Sequence, residues 1–97
     1  MKEPFEDIAA ALDRVTSIAE RLPDEIVRSS ARELQRTFAE RGSVEPAVGR
    51  LRRSVLRLSQ NAPAAAPHAP QAKVVTQLDS VIADQLLPEL RRVGFDV

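Results

Sequence analysis

Between residues 71 and 93, nine aliphatic side chains recur in helical phase: Val74, Val75, Leu78, Val81, Ile82, Leu86, Leu87, Leu90 and Val93. At ~100° per residue, all but Leu87 fall on about half of the helix circumference. That stripe is wider than the two-position seam of a coiled coil. A helix with so broad an apolar face needs cover from two or three others. The segment is therefore expected to be the hub of a small helical bundle.

The rest of the chain supplies the cover. Residues 4–22 read as a first helix, opened by Pro4 and carrying Glu6 and Asp7 in its first turn, where acids complement the helix dipole. Phe5, Ile8, Leu12, Val15, Ala19 and Leu22 follow a strict 3,4 spacing. Pro23 ends this helix and can open the next, over residues 23–41. That second helix has a seam of Val27, Ala31, Leu34 and Phe38, with Ile26 beside it and Ser30 and Thr37 on the same side. Gly42 is expected to stop it as the C′ residue. Its outer row of Arg28, Arg32 and Arg36 interleaves with Glu25, Glu33 and Glu40, so most of that charge is expected to pair locally.

Ser43 suits the N-cap of a third helix over 43–60, with the seam Val44, Val48, Leu51, Val55 and Leu58. Leu56 points away from that seam. Gly49 lies mid-helix, where a glycine either lets another helix approach closely or is a tolerated surface residue. Residues 61–70 contain three prolines and no large apolar group, which reads as an extended connection. At ~3.1 Å per residue it reaches about 30 Å. It can therefore return the last helix antiparallel, carry it across the bundle to run parallel to the third, or hand it to a second copy of the chain. In the last helix, over 71–93, Pro88 is expected to kink or break the rod. Gln85 falls inside the apolar stripe, where it is either a hydrogen-bonded rim residue or a register-setting group in an oligomer seam. Gly94 stops the helix, and Phe95 and Val97 either fold back or form an apolar tail. The fold class is all-α: one domain, a small four-helix bundle with a Pro/Ala-rich linker before the last helix.

Composition closes off several functions. There is no cysteine, so disulfide, thiolate-metal and thiol redox chemistry are absent. His68, the one histidine, sits in the linker between Pro67 and Ala69, with nothing near in sequence to orient it as a base or ligand. The inward Glu-x-x-His pairs of a di-metal carboxylate bundle do not occur, nor does a glycine-rich phosphate loop. The expectation is a protein with no catalytic, cofactor or metal residues. Lys and Arg balance Asp and Glu at 14 each, so the chain is not a general polyanion binder. No run approaches the ~20 apolar residues of a membrane span or the apolar core of a signal peptide. A cytoplasmic protein without membrane contact is the expectation. The Ala/Arg/Pro-rich usage resembles that of proteins from GC-rich bacterial genomes and identifies no function.

One constellation stands out. Arg50, Arg52, Arg53 and Arg57 lie within eight residues of the third helix, and only Glu45 offsets them over 43–60. Arg50, Arg53 and Arg57 share the face opposite the apolar seam. Arginine favours bidentate recognition of carboxylate or phosphate. The row is either a solvated face, paired with the acids of the first helix, or a docking site for an acidic protein. Nucleic acid is the weaker candidate, because neither aromatic stacking residues nor helix-turn-helix spacing accompany the row. Three function classes follow: a protein-interaction module such as a small adaptor or a neutralising partner of immunity-protein or antitoxin type; a self-assembling helical protein; and a nucleic-acid accessory protein.

Overall fold

The computed structural model describes residues 4–61 and 70–97. It is an all-α bundle of four rods. α1 is Pro4–Ala19, α2 Glu25–Ala39 and α3 Val44–Asn61. The fourth rod is continuous but not uniform: α4 (Pro70–Val81) passes through a π-helical turn (Ile82–Leu86) into α5 (Leu87–Arg92). Most of the expected connection over 61–70, His68 included, lies outside the described residues. Its ends are helical, with Asn61 closing α3 and Pro70 opening α4.

Cross-rod contacts fix the directions. Thr16 donates to Gln35 at 3.0 Å, Glu20 pairs with Arg32 at 3.6 Å, and the Phe5 and Phe38 rings lie 5.9 Å apart, so α2 descends as α1 rises. Residues 40–43 join α2 to its neighbour α3. Such a link is too short to run back along the ~22 Å of α2, so α3 is antiparallel to it. Arg14 donates to Gln85 and Arg92 pairs with Asp7 at 3.4 Å, which sets the fourth rod antiparallel to α1. It is therefore antiparallel to α3 as well. The topology is up-down-up-down, closed by the chain's own last helix.

The expected hub does not form. Among the described residues α1 packs on α2 and the fourth rod, and α3 packs on the same two, while the backbones of α1 and α3, and of α2 and the fourth rod, stay apart across the diagonals. Each rod thus has two neighbours and one shared core, and two neighbours suffice to cover the broad stripe. That stripe is fully used: Val74, Val75, Leu78, Val81, Ile82, Leu86, Leu87 and Leu90 are all buried, and Val93 is partly buried against them. On the other rods the core is wider than the seams, because Ala11, Ile18 and Ala47 join it. One expected seam residue, Phe5, and Ile26, expected beside a seam, lie outside it. Phe5 is 54% exposed and rests on Phe38, and Ile26 is 50% exposed.

Pro88 does not break the last rod, which stays helical from Pro70 to Arg92. The Leu87 N–H reaches back five residues to the Ile82 carbonyl, which is a π bond. Pro88 then falls in the first turn of α5, where its missing N–H is not needed. The extra residue in the wide turn also resets the helical phase by roughly 100°. Leu87, outside the stripe on a regular helix, is brought into the core at 3% exposure. Gln85, inside the stripe on a regular helix, is turned to the exposed rim to accept from Arg14.

The helix ends show local chemistry at work. α1 stops at Ala19, short of the expected Leu22, since the residue before Pro23 disfavours α geometry. Tight bonds from Arg21 to Ile18 and from Leu22 to Ala19, each 3.0 Å, still tuck Leu22 into the core. Pro23 does not open α2. The Asp24 carboxylate caps it instead, accepting from the Val27 N–H at 3.0 Å. Gly42 is not the C′ residue either: Arg41 takes the left-handed position, at φ 59°. The Arg41 N–H then reaches Phe38 at 3.1 Å and the Gly42 N–H reaches Thr37 at 2.8 Å, a complete Schellman motif. A Cβ at position 42 would lie 3.1 Å from the Thr37 methyl, a tight contact that glycine avoids. Gly94 does take the left-handed turn, at φ 104°, and closes the same motif with bonds from Gly94 to Arg91 and Phe95 to Leu90. Phe95 and Val97 fold back onto the core, helped by Arg91 donating to the Val97 carbonyl at 2.7 Å.

Arg41 carries a side chain where left-handed backbone costs an L-residue roughly 1–2 kcal/mol. Arg41→Gly should raise stability by about 1 kcal/mol in chemical denaturation. A loss of stability would contradict the left-handed cap.

Candidate functional site

α3 turns Val44, Ala47, Val48, Leu51, Ser54 and Val55 inward. Ser54 satisfies its buried hydroxyl on the Leu51 carbonyl at 2.7 Å. Since a helix repeats every ~3.6 residues, the opposite face carries Gly49, Arg53, Leu56 and Arg57, flanked by Arg50 on one side and Arg52 on the other. All four arginines are exposed.

The structure divides the row. Arg50 leans toward α2 and pairs with Glu33. On the other flank, Arg52 and Arg53 line an open groove with Gly49, Leu56 and, from the fourth rod, Asp79. Asp79 lies on the groove wall without closing an ion pair to either arginine. Among the described residues, Arg52, Arg53 and Arg57 have no acidic partner at ion-pairing distance. Glu45 of α3 and Asp79 stay unpaired among the described residues, and the acids that do form ion pairs meet other arginines. Glu25 takes Arg28 at 2.7 Å and Arg32 at 2.9 Å, Asp7 and Glu89 take Arg92, and Glu20 takes Arg32. Pairing with the acids of the first helix, one expectation for this row, fails on geometry, because α1 and α3 face each other across the bundle diagonal.

Gly49 is a surface glycine. The only side chain near it is Arg53, whose guanidinium lies 3.3 Å from where a Cβ would stand, and no neighbouring rod approaches within contact distance. It therefore serves no close helix packing. It lines the groove beside the Arg53 guanidinium.

Sequence reasoning named Arg50, Arg53 and Arg57 and passed over Gly49, Arg52, Leu56 and Asp79 as members of one surface. Gly49, Arg53 and Leu56 stand at i, i+4 and i+7, so the outer wheel of α3 carried that signal. Asp79 comes from another rod, and its placement depends on packing between rods. Among the described residues, no group of three or more His, Cys, Asp or Glu is arranged to share a metal ion, and no helix is long and apolar enough to cross a membrane.

The fold is an antiparallel four-helix bundle whose third helix carries Arg52, Arg53 and Arg57 without ion-pair partners among the described residues. In comparisons with known proteins, the chain matches no family model, no curated protein and no solved structure.

Gly49→Ala tests the surface assignment. Exposed mid-helix glycine costs about 1 kcal/mol against alanine, and the mobile end of Arg53 can move aside. Chemical denaturation should show a gain of roughly 0.5–1 kcal/mol. A loss would mean that a neighbouring rod needs that space.

Proposed function

We propose that the protein is a non-enzymatic protein-interaction module, acting in the cytoplasm as a small helical adaptor or as a neutralising partner of the immunity-protein or antitoxin type. It docks an acidic protein through the outer face of α3. The observation that carries this reading is the clustering of three exposed arginines, Arg52, Arg53 and Arg57, on one face of α3 with no acidic partner among the described residues, in a chain whose total charge is balanced. Guanidinium groups bind carboxylates through two parallel hydrogen bonds, and they lose less hydration than ammonium groups in doing so. Docking is favoured over self-assembly because the apolar stripe of the last rod, which a second copy would have covered, is already buried within the chain.

Charge-steered docking has a clear signature. Arg53 and Arg57 project away from the core, so the double variant Arg53→Glu, Arg57→Glu should keep its helix content and its cooperative unfolding. Its affinity for the captured protein partner should fall at least tenfold, about 1.4 kcal/mol. Wild-type binding should weaken from low to high salt, and that salt dependence should shrink in the variant. Calorimetric titration at two salt concentrations measures both. Unchanged affinity in a folded double variant would return the row to a solvated surface.

A further inference from the structure

Leu56 sits among the arginines of α3 and is 57% exposed. Scattered surface leucines need no explanation, but this one forms a wall of the groove lined by Gly49, Arg52, Arg53 and Asp79. The groove is open to solvent and has a volume of about 360 Å³. Its chemistry is mixed. Gly49 contributes backbone, Leu56 an aliphatic side chain, Arg52 and Arg53 positive charge, and Asp79 of the fourth rod a single carboxylate.

A nucleic-acid backbone fits that arrangement poorly. It presents uniform negative charge, which Asp79 repels, and nothing apolar along its phosphates to cover Leu56. A polypeptide meets every element. Given the docking role proposed for this face, on which the idea rests, we infer that the groove takes an acidic polypeptide segment bearing one large apolar side chain. The apolar group seats against Leu56. Carboxylates of the segment are held by Arg53 and Arg57, and Asp79 accepts a hydrogen bond from one of its N–H groups. Leu56 thereby sets specificity, while the arginines supply attraction. This division is common at interfaces, where a central apolar anchor is ringed by charge.

A random dodecapeptide library selected against the whole protein tests this, with wild type, Leu56→Ser and the Arg53→Glu, Arg57→Glu variant compared after circular dichroism shows each is folded. Wild type should enrich peptides that combine several Asp or Glu with a large apolar residue. Leu56→Ser should bind the wild-type winners about tenfold more weakly and lose the apolar preference while still enriching acidic sequences, and the double variant should enrich neither. Enrichment of acidic peptides by wild type without apolar preference would overturn the groove inference and leave the docking function standing. No acidic enrichment by wild type would overturn both. A single-stranded oligodeoxythymidine that displaces the selected peptide at lower concentration than the peptide itself needs would overturn the choice of a polypeptide ligand.

Discussion

The bundle depends on the phase of the apolar stripe through its last rod. Three rods supply core faces of ordinary width, and closure requires the fourth to turn all of its aliphatic groups to one side over more than twenty residues. A regular helix carrying this sequence fails at Leu87 and Gln85, which would exchange places between core and solvent. The π turn at Ile82–Leu86 corrects both with one residue's worth of rotation. The same turn lets the rod continue past Pro88, because the proline then begins a new α segment instead of interrupting an old one. One local irregularity therefore satisfies a backbone constraint and a packing constraint together.

Closure within one chain shapes the surface. With the stripe of the last rod buried, its apolar residues are spent on the core, and what distinguishes one side of the molecule from another is charge. Most ion pairs among the described residues gather along α1, α2 and α5, where Arg28, Arg32 and Arg92 meet acids. Such exposed pairs contribute little to stability, commonly ~0–1 kcal/mol each. Among the described residues Arg50 is the one arginine of α3 in an ion pair, and the diagonal arrangement keeps the acids of α1 out of reach. The cationic outer face of α3 thus follows from topology as much as from composition.

Much of the architecture was legible in the sequence. The seams of α1 and α3, the stop at Gly94 and the four-rod count followed from periodicity and cap residues, which act over a few residues. What the sequence hid depends on longer range or on competition between equals. Periodicity at a fixed angle cannot announce a π turn, so Leu87 read as an outsider and Gln85 as part of the stripe. Arg41 occupies a position usually given to glycine because the Schellman bonds form one residue earlier than Gly42 suggested. Phe5 lies outside the core because a seam position at a helix end can extend past neighbouring rods, and Ile26, beside its seam, is likewise exposed. At the candidate site, the arginine row was visible, but its division was not, since Glu33 and Asp79 reach it from other rods.

Leu87 offers the most direct measurement of the central claim. On an uninterrupted α-helix it points to solvent, and only the π turn buries it. Leu87→Ala should therefore cost about 2–5 kcal/mol in chemical denaturation, as a buried large-to-small change does, with the helix content of the folded state retained. A change below about 0.5 kcal/mol, the ordinary range for surface positions, would contradict the phase reset and with it the packing of the last rod.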